Sequence, residues 1–326
     1  MNKVVKTLVA FATGAALLAG GAMAQDRKGW PRSLTIGTAS QGGVYFVYGN
    51  GLAGFIGEQL KINSSGEVTG GPTVNATLVQ NKEHGIGLVT MGPMYDAWTG
   101  KSQLAPGLKH TDVRALFAMY ETPFHAIAMR KSNIKSVADL KGKRVSVGPA
   151  GGTADGYWPR FLQELGVNAT ITRSGAADAA SQLKDGLIDA FLFAAGLPIG
   201  AFSQLAAEAD VVTFAFTPEE HAKIVKAFPE VSPFKIPANT YTVQKEDNNS
   251  VAMWNYAVVH KDMPESLAYE VTKLVLENNP RMVQIHAAAK GTVLQNWNNN
   301  SFLPYHKGAV RYYQEKGITI PANLKD

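Results

Sequence analysis

Leu34-Thr35-Ile36-Gly37-Thr38-Ala39-Ser40-Gln41-Gly42-Gly43-Val44-Tyr45 joins a short apolar run to an amphipathic one through a turn of small and polar residues. Tyr45, Tyr48, Leu52, Phe55, Ile56 and Leu60 recur at helical spacing, so the turn sits at a helix N-terminus. Unpaired backbone N–H groups at a helix start, beside glycines that admit close approach, suit an anionic or polar small molecule. Thr69-Gly70-Gly71-Pro72-Thr73-Val74-Asn75 repeats the device about one helix later, and Gly148-Pro149-Ala150-Gly151-Gly152-Thr153 repeats it again.

Around these turns, β-rich runs alternate with helical ones, which predicts an α/β fold with mainly parallel strands. Strands are expected at 34–37, 86–90, 114–119, 125–129, 144–147, 190–193, 211–214 and 255–259. Helices are expected at 44–60, 74–82, 157–165, 176–186, 199–208, 218–227, 264–278, 281–289 and 305–316. The first and middle thirds share one logic of strand, glycine turn and helix. That predicts two similar α/β lobes with ligand groups at the carboxyl ends of strands. Tyr120-Glu121-Thr122-Pro123-Phe124 is the expected crossing between lobes, with a return between Phe214 and Tyr241. Lobe 1 is then 25–120 plus about 230–326, and lobe 2 about 121–229.

The N-terminus reads as a secretory signal over residues 1–24. Lys3 and Lys6 precede an apolar, alanine-rich stretch, and Ala22-Met23-Ala24 forms a cleavage site, so the mature chain is expected to start near Gln25 in the periplasm. The apolar run is shorter than the roughly 20 residues a bilayer span needs. The chain has no cysteine, which excludes disulfides, a lipid-anchoring thiol and thiol catalysis. Its formal charge of +5 falls by two with Lys3 and Lys6, and the remaining charges are scattered. A nucleic-acid role would need a continuous basic stripe.

Gly49-Asn50-Gly51-Leu52-Ala53-Gly54 matches a dinucleotide fingerprint only formally, because it falls inside a predicted helix, not after a strand. The seven histidines are dispersed without metal-ligand spacing, so no metal is expected. There is no G-x-S-x-G elbow and no identifiable base for Ser40. Neither an enzyme nor a cofactor is expected.

With these motifs in place, the chain resembles the TAXI class of solute-binding proteins, the periplasmic receptors of tripartite ATP-independent periplasmic (TRAP) transporters. The resemblance runs from Leu34 to about Ile320. It rests on Ile36-Gly37-Thr38 with Gly42-Gly43-Val44-Tyr45, on the second glycine turn with Asn75, and on the run from Ile134 through Asp139-Leu140-Lys141-Gly142-Lys143-Arg144 to Gly148. Asp185-Gly186, Ile188-Asp189-Ala190, Gly196-Leu197-Pro198, Ile236-Pro237-Ala238-Asn239-Thr240-Tyr241 and His306-Lys307-Gly308 with Arg311-Tyr312-Tyr313 complete it.

The resemblance implies a type II periplasmic-binding-protein fold, a small organic anion (a carboxylate or an amino acid such as glutamate) in the interlobe cleft, and an ion-driven membrane permease as partner. A monomer is expected. Thr90 and Gly92 stand where relatives carry Gln and Asp, Glu121-Thr122 replaces a Pro-Glu pair, and the third turn lacks a serine. These departures widen the expectation to carboxylates other than amino acids. The ligand is expected to meet backbone N–H groups of Ser40, Gly42 and Gly43 on one side and of Gly151, Gly152 and Thr153 on the other. Thr73 and Asn75 would add polar contacts, Tyr45 and Tyr120 walls, and Met91 and Gly196 flanks. The alternative partner is a receptor kinase, with the chain as a sensory binding protein.

Overall fold

The computed structural model describes residues 27–325; the expected secretory signal and cleavage site lie outside the described residues. The opening stretch forms β1 (Ser33–Gly37) and α1 (Val44–Leu60), and α1 buries the predicted stripe of Tyr45, Tyr48, Leu52, Phe55, Ile56 and Leu60. Lys61 closes α1 in a left-handed conformation (φ 55°). The chain continues through β2 (Asn63–Glu67), α2 (Pro72–Gln80), β3 (Ile86–Thr90) and α3 (Met91–Thr99) to β4 (Val113–Met129). In sheet order β2-β1-β3, the three strands are parallel, as the crossover helices require.

β4 takes in the separately expected 114–119 and 125–129 as one 17-residue strand. Pro123 interrupts the sequence pattern but not the strand, and its carbonyl takes the Ala195 N–H at 3.4 Å.

The middle of the chain supplies β5 (Arg144–Ser146), α4 (Thr153–Glu164), β6 (Thr170–Thr172), α5 (Ala176–Lys184), β7 (Ala190–Ala194), α6 (Gly200–Glu208), β8 (Val211–Phe214) and α7 (Pro218–Ala227). Strands β7-β5-β6 are parallel, and both β7 and β8 pair antiparallel with the second half of β4. β9 (Ser232–Ile236) leads into β10 (Asn248–His260), whose first residues pair with β9 and whose remainder runs between β3 and the first half of β4. Helices α8 (Glu265–Glu277), α9 (Asn279–Ile285) and α10 (Lys307–Glu315) follow.

The result is two lobes sharing β4. One is built on β2-β1-β3-β10-β4 and the other on β4-β7-β5-β6. β4 and β10 part after the pairing of Thr122 with Met253. There the Ser250 hydroxyl replaces ladder bonds, accepting the Phe124 N–H at 3.1 Å and donating to the Phe124 carbonyl at 2.5 Å. No helix among the described residues is long and apolar enough to cross a membrane.

Candidate functional site

The carboxyl ends of β1, β3, β5 and β7 face one another across the seam between the lobes. They enclose a cavity of about 40 Å³. From the first lobe come Ser40, Gly43, Tyr45, Gly70 and Thr90; from the second come Gly152, Thr153, Phe193 and Ala195; Thr122 of β4 lies between. Its wall includes the first residues of α1 and of α4, namely Val44, Thr153 and Ala154. The unsatisfied N–H groups of those first turns carry partial positive charge of roughly half an elementary charge per helix. Among the described residues, no Lys, Arg, His, Asp or Glu lines this cavity.

Its floor is a buried polar network centred on Asn255 of β10. The Asn255 Nδ2 group lies 2.7 Å from the Tyr120 carbonyl, which only accepts, so the amide orientation is fixed. The same Nδ2 donates to Thr122 Oγ1 at 2.7 Å. Oδ1 accepts from Tyr45 Oη at 2.7 Å and from Thr90 Oγ1 at 2.8 Å. Burial pushes the Tyr45 phenol far above its usual range, against the smaller opposing effect of Thr90, so it remains a donor. Thr90, having given its proton to Asn255, accepts from Thr153 Oγ1 at 2.7 Å across the seam. Among the described residues that line the cavity, the Tyr45 phenol is the titratable side chain.

The turn at 40–43 spends its acceptors on the opposite lobe. Ser40 Oγ takes the Ala176 N–H, the Gln41 carbonyl takes that of Ala177, and the Gly42 carbonyl takes that of Ala201, each at 3.1 Å. These are the leading amides of α5 and α6. Gly42 has φ +84°, and a Cβ there would lie 3.0 Å from Ala177 N and 3.2 Å from Ala201 Cβ. The turns at 69–73 and 149–153 also meet directly, Thr73 N–H donating to the Gly151 carbonyl at 3.2 Å.

Of the expected site residues, Ser40, Gly43, Tyr45, Gly152 and Thr153 line the cavity. Gly42 is absorbed in the lobe contact. Thr73 and Gly151 border a neighbouring hollow of about 190 Å³, and Met91 a groove of about 730 Å³ farther along the seam. Asn75 is fully buried and spent within its own lobe, donating to the Thr38 and Leu88 carbonyls at 2.8 Å and accepting from Thr69 Oγ1 at 2.7 Å. Tyr120 stands behind the wall, edge-on to Tyr45 and Tyr48. Gly196 leaves room for that ring, since a Cβ would come within 2.7 Å of it.

Sequence reasoning left out Thr90, Thr122, Phe193 and Asn255. The strands holding Thr90 and Asn255 were visible, but nothing local signals that a lone threonine and a lone asparagine at 165 positions' separation share a hydrogen bond. Among the described residues no group of three or more His, Asp or Glu side chains is placed to hold a metal ion.

Among solved structures, the chain is similar to the periplasmic binding protein BugD at 12% identity, covering 87% of this chain and 93% of that one, with a TM-score of 0.57. It is similar to a structure described as a periplasmic transporter at 14% identity, with 87% and 92% coverage and a TM-score of 0.56. It is also similar to an ancestral arginine-binding protein bound to arginine, at 14% identity, 80% and 99% coverage and a TM-score of 0.50. At such identities these likenesses speak to the two-lobed periplasmic-binding-protein fold. The NMT1-like family matches residues 36–317. That span runs from the end of β1 through α10 and takes in every residue of the cavity, so the chain belongs to the NMT1-like family.

Proposed function

We propose that the chain is a periplasmic solute-binding receptor of the TAXI type, which captures a small carboxylate between its lobes and delivers it to a TRAP permease. The observation that carries the ligand class is the lining of the seam cavity: hydroxyls and the starts of α1, α2 and α4, with no charged side chain among the described residues. Helix starts and hydroxyls stabilise negative charge. An α-ammonium group would find no carboxylate there to balance it, and burying it unpaired is costly. The reading therefore favours an organic acid without an amino group over glutamate. The small cavity favours a ligand of few non-hydrogen atoms.

The family match and the two-lobed fold support a binding role, and the sequence resemblance supports the TRAP permease as recipient. The lobes would part and close by flexing β4 and β10, with the second lobe taken as about 121–229. A ligand contacting both lobes would shift the population toward the closed form.

A thermal-shift screen of the mature protein against short carboxylates and amino acids tests the ligand class. A true ligand at 100 times its Kd adds about 2.7 kcal/mol of stability. Stabilisation by carboxylates but not by their amino-acid counterparts supports the reading; stabilisation by amino acids alone refutes it. Uptake of the identified acid by liposomes bearing a TRAP permease, dependent on the added receptor, tests delivery.

A further inference from the structure

We infer that Thr122 is the specificity-determining donor of the cavity, reading an anionic ligand oxygen, and that Asn255 is the residue that aims it. This rests on the carboxylate reading above and names the side chain that would carry it. Thr122 lies in β4, is 2% exposed and lines the cavity. Its Oγ1 accepts a proton from Asn255 Nδ2 at 2.7 Å. Asn255 cannot turn its amide over, because the same Nδ2 also donates to the Tyr120 carbonyl while Oδ1 receives protons from Tyr45 and Thr90. With that lone pair of Thr122 occupied, its own O–H must point elsewhere, and no acceptor among the described residues takes it.

The other hydroxyls of the Asn255 network are differently committed. Thr90 gives its proton to Asn255, Thr153 gives its proton to Thr90, and Tyr45 gives its proton to Asn255. Within the Asn255 network Thr122 is thus the hydroxyl with a proton left for a guest; Ser40, which accepts from the Ala176 N–H, borders the cavity outside that network. A donor fixed in this way donates to a carboxylate oxygen and gains less from a neutral amide, because a hydrogen bond to a charged acceptor is roughly twice as strong. Both partners come from the two strands that cross between the lobes, so the donor would stay in register with its aiming residue as the lobes move.

The test compares Thr122→Val, Thr122→Ser and wild type by calorimetry with pyruvate and with pyruvamide, its neutral isostere. Wild type is expected to prefer the carboxylate. Thr122→Val should lose about 10- to 100-fold in carboxylate affinity while changing amide affinity little, and Thr122→Ser should restore the preference. Asn255→Asp, which turns the aiming donor into an acceptor, should weaken carboxylate binding as Thr122→Val does, with circular dichroism confirming the fold. A carboxylate preference that survives Thr122→Val overturns the inference while leaving the proposed function standing. Failure of wild type to bind any short carboxylate from the thermal-shift screen overturns both.

Discussion

The hydroxyl oxygen of Ser40 lies 3.1 Å from the backbone nitrogen of Ala176, so the first residue of α5 is capped by a side chain from the opposite lobe. The next two carbonyls of the same turn, of Gln41 and Gly42, meet Ala177 and Ala201. The turn that reads in sequence as an anion cradle thus presents oxygens to the other lobe, in place of a ligand anion at α5 and α6. Its outer face latches the lobes together, and only Ser40 and Gly43 also border the cavity.

Substituting Gly42 with alanine should loosen that latch. The residue is at φ +84°, where a side chain is strained by about 1–2 kcal/mol, and the new Cβ would press on α5 and α6. The expected outcome is a larger radius of gyration in small-angle scattering without ligand, shrinking toward the wild-type value when ligand is added. An unchanged scattering curve would show that the contact does not hold the lobes.

Asn75→Ala should act on stability, not on binding. The change takes the amide donor from the buried Thr38 and Leu88 carbonyls, leaving Thr38 with the Thr69 hydroxyl at 3.0 Å, and removes the cavity-filling amide between β1 and β3. An unsatisfied buried group costs about 1–3 kcal/mol, so a loss of roughly that size in urea unfolding is expected, with ligand affinity of the folded protein near wild type. Weakened binding at full stability would instead put Asn75 in the site.

Stability should fall in mild acid because of His125. Its Nε2 receives the Tyr241 hydroxyl proton at 2.8 Å, since that hydroxyl already accepts the Ile199 N–H at 3.0 Å. Burial, partly opposed by the Pro123 carbonyl, lowers the imidazole to about 3. The unfolded chain, with a pKa near 6.5, takes up the proton first as the pH drops. The His125 contribution is therefore complete above about pH 6.5 and is lost toward pH 3 at about 1.4 kcal/mol per unit. Burial also lowers His260 and His286, which add slope of the same sign. Urea unfolding at pH 7.5 and 5 should show about 2 kcal/mol less difference in His125→Gln than in wild type, and equal differences would contradict the assignment.

Much of the architecture was legible because periodicity reports burial. Val44–Leu60 and Pro218–Ala227 carry their own stripes and starts, and Thr217 with Glu220 completes a capping box on the latter. What escaped depends on distant partners. Asn63–Glu67 has no apolar residue and becomes a strand only by lying beside β1. Met91–Thr99 opens with Met-Gly-Pro, which reads as a turn, yet proline is tolerated in a helix's first turn. The candidate site was half visible. Glycine turns mark themselves in sequence, whereas the floor assembles from single polar residues of β3, β4 and β10 whose meaning arises only when the sheet brings them together.

On the proposed function, the seam cavity holds a small carboxylate and, among the described residues, has no carboxylate side chain to balance an amino group. The most direct measurement is calorimetry of the mature protein with lactate and with alanine, which share a carbon skeleton and differ at the α-substituent. Lactate is expected to bind at least tenfold tighter, with an affinity that does not change between pH 5.5 and 8.5, because no side chain among the described residues that titrates in that range lines the cavity. Tighter binding of alanine, or an affinity for lactate that tracks a histidine-like titration, would contradict it.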